Sequence, residues 1–378
     1  MADLIHILGS PITHHNTTVF SFFQEHITKL THKTLPIKFM VAVDTLDPKQ
    51  SERYRLDYPD LSIECYEGKK QLALALIEHA KTHKTCRYFL HGQFNPKIWF
   101  SLILNQLDGS RFAWHIWGAD LYEEETSLKY KFFYFIRRFA QQRIEWFFAT
   151  KGDAEVLAKR ITHSKIKRLY FPTKMNYDLT PSLDVKRHRL ERLQSQEREL
   201  TILLGNSGDK TNHHLLGLDL IYKTFGQNVR IIIPMGYPEN NQTYIAEVEQ
   251  KANHLFNIGS VDILKVRLPF EDYLKCLSKC DLAYFLFERQ QGIGTISLCI
   301  QQCVPFVLHS ENAFHVDLSY ENIPYFLTTS QMDIDSLVEL QTNLNQVEIE
   351  KIGFLSPNYM SDWAQALSNL TGEEHVIT

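Results

Sequence analysis

The sequence predicts an α/β protein built from two Rossmann-like domains that face each other across a cleft. The chain has 378 residues, more than one hydrophobic core usually organises. Short apolar strands alternate with helical patterns in the first half, and the same alternation starts again in the second half. Polar residues follow the strands, as is typical of parallel sheets with a binding site along the carboxyl edge.

The pattern predicts strands over residues 4–8, 39–43, 88–90, 112–116 and 168–171 in the first half, and 200–204, 229–234, 261–264 and 282–285 in the second. The main helices are predicted over residues 17–30, 71–81, 98–104, 212–225, 243–255 and 270–278. Residues 44–66 are predicted to be rich in loops.

A polar, charge-dense segment over residues 176–199 indicates the domain boundary. We therefore expect a first domain over 1–180, a linker over 181–199 and a second domain over 200–355. Residues 356–378 are expected to form a helix that returns to the first domain.

Composition excludes several classes of protein. A hydrophobic content of 44% with 22% charged residues describes a well-packed protein, and no apolar run approaches the roughly 20 residues that span a bilayer. The net charge of −4 argues against a nucleic-acid partner. Residues 1–9 contain Asp3 and a short apolar run, which predicts a first strand rather than a signal peptide and a cytoplasmic location. The six cysteines include no CxxC pair and are expected to be free thiols.

A glycine-bearing turn after the predicted strand at 282–285 is the first candidate site. Gly292 and Gly294 allow a ligand to approach the backbone, the following helix offers N–H groups at its start, and Arg289 supplies positive charge. Such a turn can hold a phosphate or diphosphate. The alternative is an ordinary strand-to-helix turn.

A second glycine turn, over residues 205–209, follows the first strand of the same predicted domain. We expect the two turns to hold both phosphates of a nucleotide diphosphate through backbone N–H groups. Neither turn matches GxxxxGK[ST] or GxGxxG, so ATPases and dinucleotide-dependent dehydrogenases are disfavoured. The Asp333-Ile334-Asp335 triplet is interpreted as a helix N-cap, and we expect no cofactor and no metal.

A sugar acceptor needs a general base near its hydroxyl, and the first half offers several at predicted strand ends. Asp120, just past Trp117-Gly118, is the first candidate, followed by His14 and His15. His91 and His115 are further candidates. The alternatives are that Asp120 caps a turn and that His115 is a buried core histidine.

A basic aromatic segment over residues 130–148 has the composition of a helix that lies on an anionic membrane surface. Lys131, Arg137, Arg138 and Arg143 are the predicted membrane contacts. The alternative is a core helix with a solvated basic face.

The segments ILGSPITHHN, HGQFNP, HIWGADLY, LYFPTKM, GNSGD, IPMGYPENN, RQQGIGT and LSPNY occur in this order. As a set they resemble glycosyltransferase family 56, the bacterial transferases that add 4-acetamido-4,6-dideoxy-D-galactose (Fuc4NAc) in enterobacterial common antigen synthesis. The resemblance implies a GT-B fold, a dTDP-sugar donor and an undecaprenyl-diphosphate-linked glycan acceptor, with the enzyme peripheral on the cytoplasmic side of the cell inner membrane.

The resemblance also implies domain and residue roles. The domain over 1–180 would bind the acceptor and dock on the membrane, and the domain over 200–355 would bind the nucleotide sugar. The donor-binding positions are Gly205, Asn206, Ser207, Gly208, Asp209, Met235, Gly236, Tyr237, Arg289, Gln291, Gly292, Gly294 and Thr295. The acceptor-side positions are His14, His15, Asn16, His91, Trp117 and Asp120. Many retaining GT-B enzymes carry a second glutamate eight positions after the first, whereas here Glu288 is followed at that distance by Ile296, so the stereochemical course is left open.

A transferase with a different sugar or nucleotide is the nearest alternative function. A two-domain sugar-binding protein is the alternative from a different class, and a nucleotide-sugar epimerase is disfavoured because no early GxGxxG is present.

Overall fold

The computed structural model describes residues 3–28, 37–173, 183–195, 199–238 and 241–372. The chain divides into two compact units. Unit 1 comprises Met1–Lys174 and Ser356–Thr378, and unit 2 comprises Met175–Leu355.

Unit 1 contains a seven-stranded parallel sheet in the order β3-β2-β1-β4-β5-β6-β7. Its strands are β1 (Leu4–Leu8), β2 (Ile37–Val43), β3 (Leu61–Glu67), β4 (Arg87–His91), β5 (Phe112–His115), β6 (Trp146–Ala149) and β7 (Lys165–Arg168). Its helices are α1 (Thr13–Phe22), α2 (Gln50–Asp57), α3 (Gly68–Thr82), α4 (Pro96–Ile103), α5 (Leu128–Gln141) and α6 (Lys151–Ala158). A wider helical turn, Phe23–Ile27, extends α1.

The two faces of this sheet have different cores, because side chains alternate along each strand. Along β1, Ile5 and Ile7 face the cluster that contains α3, α4, α5 and α6. His6 points to the opposite face, where its ring stacks on Phe39 and lies edge-on to Phe23. That second face is an aromatic layer of imidazole, phenyl and indole rings.

The C-terminal helix of unit 1 closes the aromatic layer. In this helix, α14 (Met360–Thr371), Trp363 is fully buried, donates a hydrogen bond to the Tyr170 carbonyl at 3.1 Å and stacks on the His91 ring. Arg168 pairs with Asp362 at 2.9 Å. Removing a buried tryptophan costs about 3–5 kcal/mol in other proteins, so α14 is an integral part of unit 1.

Unit 2 contains a six-stranded parallel sheet in the order β10-β9-β8-β11-β12-β13. Its strands are β8 (Leu200–Leu204), β9 (Val229–Pro234), β10 (Val261–Leu264), β11 (Leu282–Phe285), β12 (Phe306–Leu308) and β13 (Phe326–Leu327). Its helices are α7 (Leu183–Gln194), α8 (His214–Phe225), α9 (Gln242–Leu255), α10 (Phe270–Ser278), α11 (Ile293–Gln301), α12 (His315–Tyr320) and α13 (Ile334–Leu344). Both α/β units agree with the predicted fold class.

The predicted linker contains a helix that belongs to unit 2. In α7, Arg189 is buried and donates to the carbonyls of Gln302, Cys303 and Ser278 at 2.6, 2.8 and 3.0 Å. Arg192 pairs with Asp281 at 2.7 Å. A charge-dense sequence was interpreted as a linker, but its arginines make specific contacts within a folded unit.

Several other predicted boundaries were wrong. The stretch predicted to be loop-rich contains α2 and β3, and α1 begins at Thr13 rather than at residue 17. The final strand of unit 1 is Lys165–Arg168, not 168–171. Asp333 caps α13 in a reciprocal capping box with Ser336, as predicted.

Candidate functional site

Each sheet has one topological switch point, which is the place where the strand order changes direction and the connections from two neighbouring strands lead to opposite faces of the sheet. The switch point lies between β1 and β4 in unit 1, and between β8 and β11 in unit 2. Ligands of open α/β sheets bind in the crevice at the carboxyl ends of such strands. The glycine turns at 205–209 and 286–292 follow β8 and β11, so they lie at the switch point of unit 2.

The two turns of unit 2 touch each other. A Cβ added to Gly292, which has a φ of +65°, would lie 2.9 Å from both Asn206 Nδ2 and Phe287 Cζ. The Thr211 hydroxyl oxygen also lies 3.0 Å from Gln291 Oε1. The structure therefore brings the two predicted donor turns together, and only glycine fits at position 292.

Backbone hydrogen bonds decide which turn has N–H groups available. The N–H groups of Gly205, Asn206 and Gly208 already donate to Tyr284 O, Asn212 Oδ1 and Tyr237 O. The expectation that this turn donates freely to phosphate is therefore wrong at these three positions. The turn is shaped instead by glycine, since a Cβ on Gly208 would lie 1.9 Å from Asn241 Nδ2.

The start of α11 is the better candidate for an anion site. Its N-cap is Gly292, no side chain caps it, and its first turn contains no acidic residue. The first N–H groups of a helix have no intrahelical partner, and the helix dipole adds partial positive charge there. Gly294 and Thr295 lie in this first turn, because α11 begins at Ile293.

Three asparagines that the sequence analysis did not select hold this crevice in shape. Asn312 donates to the carbonyls of Phe287 and Arg289 at 2.9 and 2.8 Å, which fixes the turn that carries Arg289. Asn212 accepts from Asn206 N at 2.9 Å, and Asn241 donates to Met235 O at 3.0 Å.

The remaining predicted donor residues lie around these turns. Ser207 is buried, and Asp209 accepts hydrogen bonds from Thr211 N and Oγ1. Gly236 lies so close to the turn after β10 that a Cβ would be 2.3 Å from the Val266 carbonyl carbon. Tyr237 is exposed at the same edge.

One buried oxygen in the crevice lacks a partner. The Oδ1 atom of Asn206 is buried, and among the residues that the structure describes it has no hydrogen-bond partner. Buried polar atoms of this kind are rare in folded proteins unless a ligand or water satisfies them. This atom is therefore a candidate ligand contact.

In unit 1, Asp120 is a structural residue rather than an accessible base. It is fully buried, and its carboxylate accepts from Trp114 Nε1 at 2.6 Å, Trp117 N at 2.8 Å and Gln93 N at 3.0 Å. Burial raises the pKa of the Asp120 carboxyl, against the lowering effect of these hydrogen bonds. A general base must contact the acceptor hydroxyl, and the buried, fully hydrogen-bonded Asp120 carboxylate is not accessible for such a contact.

His91, His115 and Asn16 are also interior residues. His91 is buried and lies 3.0 Å from His6, ring nitrogen to ring nitrogen, and burial holds its pKa well below the usual value. His115 shares a hydrogen bond with Leu169 O at 3.3 Å and accepts from Trp117 Nε1 at 3.3 Å. Asn16 donates to Ser10 O.

His15 and Trp117 are half-buried and lie together at the carboxyl edge of unit 1. The His15 ring is 5.3 Å from the Trp117 ring and 4.2 Å from the His14 ring, centroid to centroid. Its Nδ1 atom is buried without a partner among the described residues. Burial and then the charge of His14 lower the His15 pKa to about 4, so the imidazole is neutral at pH 7 but is a weaker base than an exposed histidine.

The prediction that Arg137 contacts the membrane is wrong, because this residue lies in the interior. It is buried and donates to the carbonyls of Ala119, Leu121 and Tyr122 at 3.2, 2.9 and 2.9 Å. Its guanidinium therefore attaches α5 to the loop after β5. Arg138 pairs with Glu123 at 2.6 Å, while Lys131 and Arg143 are exposed.

The outer face of α5 is apolar and exposed. Leu128, Phe132, Phe135 and Phe139 are 85%, 59%, 55% and 50% exposed, and their spacing of three or four residues puts them on one stripe. We call these four residues the α5 stripe. Lys131 and Arg138 lie along one flank of it, seven residues apart.

None of the described helices is both long enough and apolar enough to cross a membrane. Among the described residues, no group of three or more His, Cys, Asp or Glu side chains forms a candidate metal site.

Solved structures similar to this one include a glycosyltransferase and a sucrose-phosphate synthase. Anabaena Alr3699/HepE in complex with UDP has 14% identity and a TM-score of 0.65, covering 98% of this chain and all of that one. A glycosyltransferase from Rickettsia africae has 12% identity and a TM-score of 0.62, covering 98% of each chain. Sucrose-phosphate synthase from Thermosynechococcus elongatus has 11% identity and a TM-score of 0.63, covering 98% of this chain and 100% of that one.

These likenesses confirm the fold, two Rossmann-like α/β units of the GT-B type. A family model described as 4-alpha-L-fucosyltransferase, glycosyl transferase group 56, matches residues 1–372. The chain therefore belongs to glycosyltransferase group 56 and is a glycosyltransferase.

Proposed function

We propose that this glycosyltransferase moves 4-acetamido-4,6-dideoxy-D-galactose from dTDP-Fuc4NAc to an undecaprenyl-diphosphate-linked ManNAcA-GlcNAc acceptor in enterobacterial common antigen synthesis. The proposal that the protein binds a nucleotide-sugar donor rests on one observation: the two glycine turns meet at the uncapped start of α11. The donor sugar and the acceptor come from the family resemblance of the sequence.

The leaving group is a nucleoside diphosphate, and catalysis requires that its growing negative charge be stabilised. The first N–H groups of α11 and the Arg289 guanidinium supply this stabilisation, so the proposed chemistry needs no metal. The bound UDP of HepE is a nucleoside diphosphate, the same class of ligand as dTDP. That complex supports a nucleotide-diphosphate site in this fold.

We propose His15 as the group that receives the acceptor proton in unit 1. Its imidazole is neutral at pH 7 and lies at the carboxyl edge beside Trp117, which offers an aromatic face for a sugar ring. Asp120 holds the turn on which Trp117 lies. His14 remains the second candidate because it contacts His15.

We propose that the α5 stripe docks the enzyme peripherally on the cytoplasmic side of the cell inner membrane. Three phenylalanines and a leucine lie exposed on one stripe, and exposed Lys129 and Lys131 lie on the same helix. An apolar face bordered by cations is suited to an anionic membrane surface. Docking would bring the enzyme to an acceptor that cannot leave the bilayer.

The decisive experiment incubates the protein with dTDP-Fuc4NAc and lipid-linked ManNAcA-GlcNAc, and follows the mass of the lipid product. Parallel reactions contain EDTA, and dTDP-glucose or UDP-Fuc4NAc as alternative donors. We expect a product heavier by one Fuc4NAc residue, with and without EDTA. Transfer only from an alternative donor would favour a different glycosyltransferase, and activity lost in EDTA but restored by a divalent cation would refute metal independence.

A two-domain sugar-binding protein is the alternative from a different class. It would bind sugar without turnover, so the same reaction separates the two.

A further inference from the structure

A cavity lies beside the α5 stripe. Its volume is about 300 Å³, and it is lined by Glu123, Arg138, Gln141, Gln142, Arg160 and Ile161. Since water occupies roughly 30 Å³, the cavity has room for a phosphate group with its first waters. Arg138 also belongs to the basic flank of the stripe, so the cavity and the stripe share one helix.

The charges around the cavity are unbalanced. Three guanidinium groups approach the single carboxylate of Glu123, from Arg138 at 2.6 Å, Arg137 at 3.6 Å and Arg160 at 3.8 Å. With the buried Asp120 carboxylate, which also acts on Arg137, the cluster carries a net charge of +1 when its members are ionised (three positive, two negative). Arg137 is occupied by carbonyls beneath the surface, so the charge that faces the cavity belongs to Arg138 and Arg160.

Arg138 and Arg160 are held in place before any ligand binds. Arg138 donates to both Glu123 oxygens, through Nε at 2.8 Å and Nη2 at 2.6 Å. Arg160 donates to Leu121 O at 3.1 Å, and its own carbonyl accepts from Gln142 Nε2 at 2.9 Å. Guanidinium groups fixed in this way lose less rotational freedom when they bind a phosphate.

We propose that this cavity binds the phosphate of an anionic phospholipid headgroup while the α5 stripe lies in the membrane. The proposal rests on the proposed membrane docking of α5 and adds a specific lipid contact to it. The phosphodiester would lie between Arg138 and Arg160, and its negative charge would offset the excess positive charge. Glu123 competes with the phosphate for the same guanidinium groups.

The test uses dihexanoylphosphatidylglycerol, a short-chain lipid that dissolves as monomers, so that binding to the cavity is measured without a membrane. We expect saturable binding of one lipid per protein. The double variant Arg138→Gln/Arg160→Gln should weaken it about tenfold or more, since two charge-assisted contacts are lost. The matched variant Lys129→Gln/Lys131→Gln also removes two positive charges, both from α5 and outside the cavity, and should leave this binding within twofold.

A second pair of variants tests the competing carboxylate. Glu123→Gln should strengthen binding of the short-chain lipid several-fold, because the guanidinium groups lose their acidic partner. Glu125→Gln removes the same charge two residues away, outside the cavity lining, and should have little effect. Unchanged thermal unfolding midpoints show that each variant is folded.

Several results would overturn the proposal. If the arginine and lysine variants lose affinity for the lipid equally, binding depends on the overall surface charge rather than on the cavity. If dihexanoylphosphatidylcholine binds as tightly as dihexanoylphosphatidylglycerol, the cavity does not select anionic lipid. If inorganic phosphate binds as tightly as the lipid, the cavity is a site for free phosphate rather than for a lipid headgroup. If the Phe135→Ser/Phe139→Ser variant stays bound to vesicles, the proposed docking through α5 is wrong. The titration with short-chain lipid still shows whether the cavity binds an anionic headgroup.

Discussion

The Asp120 carboxylate accepts a 2.6 Å hydrogen bond from the indole N–H of Trp114. Both side chains are fully buried, and the same carboxylate also receives the backbone N–H groups of Gln93 and Trp117. One side chain thus joins the turns after β4 and β5. These turns form the candidate acceptor side of unit 1, so the buried Asp120 side chain determines how the two turns are positioned there.

Replacing Asp120 with asparagine should destabilise the protein rather than stop the chemistry directly. The side-chain NH2 of asparagine would take the place of one carboxylate oxygen. A buried N–H group that now donates to a carboxylate would then face another donor. We expect the free energy of unfolding to fall by about 2–4 kcal/mol, measured by urea denaturation. A variant of unchanged stability and dTDP affinity that has lost turnover would instead restore Asp120 as a catalytic residue.

The contact of Gly292 with Asn206 predicts a binding defect. In Gly292→Ala the new methyl group would overlap Asn206 and Phe287 and push the two turns apart. We expect the Kd for dTDP, measured by calorimetric titration, to rise about tenfold or more.

Gly372→Ala is the matched control. Gly372 has the same left-handed conformation, with φ +76° and ψ +15° against φ +65° and ψ +20° at Gly292, but a Cβ there meets no atom within 4 Å. Both variants lose about 1 kcal/mol of stability from the left-handed backbone, but Gly372→Ala should bind dTDP normally. Equal dTDP affinity in the two variants would remove Gly292 from the donor site.

The two faces of α5 should respond differently to mutation. Phe135→Ser/Phe139→Ser removes exposed apolar surface, so it should leave stability nearly unchanged and weaken binding to anionic vesicles in a flotation assay. Arg137→Gln removes contacts with buried carbonyls, so it should lower the free energy of unfolding by about 2–4 kcal/mol. Loss of vesicle binding in a stable Arg137→Gln variant would contradict this division.

Buried neutral histidines make stability depend on pH. Burial lowers the pKa of His6 and His115 to about 3 and that of His214 to about 4, whereas an unfolded histidine titrates near 6.5. Below pH 6.5 the unfolded chain therefore binds protons that the folded chain does not. The full stability is present about one pH unit above 6.5, and it falls as the pH decreases through 6.5 until the folded pKa values are reached.

Each such histidine contributes at most about 1.4 kcal/mol per pH unit in this window. Asp120 acts in the opposite direction because its pKa is raised, but the histidines outnumber it. Urea midpoints at pH 7.5, 6.5 and 5.5, at constant ionic strength, should decrease in that order. A constant or rising midpoint would show that these imidazoles are not buried as neutral groups.

Much of the fold could be predicted from local pattern. Strands such as Val229–Pro234 are continuous apolar runs, and the helices between them have regular apolar spacing. β3 and α2 were missed because half of their residues are polar and only Leu61, Ile63, Gln50 and Tyr54 are buried. The helix α7 was missed because its stabilising contacts come from arginines, which composition alone assigns to solvent.

The candidate site could be predicted less completely than the fold. Glycines at strand ends correctly indicated the turns that meet in unit 2. Which N–H groups remain available depends on distant partners such as Asn212 and Tyr237, and no local pattern reveals those. Asp120 and Arg137 look like surface residues in the sequence, and only tertiary packing shows that they are interior connectors.

The central claim is that a nucleoside diphosphate binds at the switch point of unit 2, against the start of α11. Hydrogen exchange measured by mass spectrometry, with and without saturating dTDP, tests this claim most directly. We predict slower exchange in peptides that cover residues 205–212 and 289–296, with little change in peptides of the edge strands. Bound dTDP that leaves both segments unprotected would contradict the account.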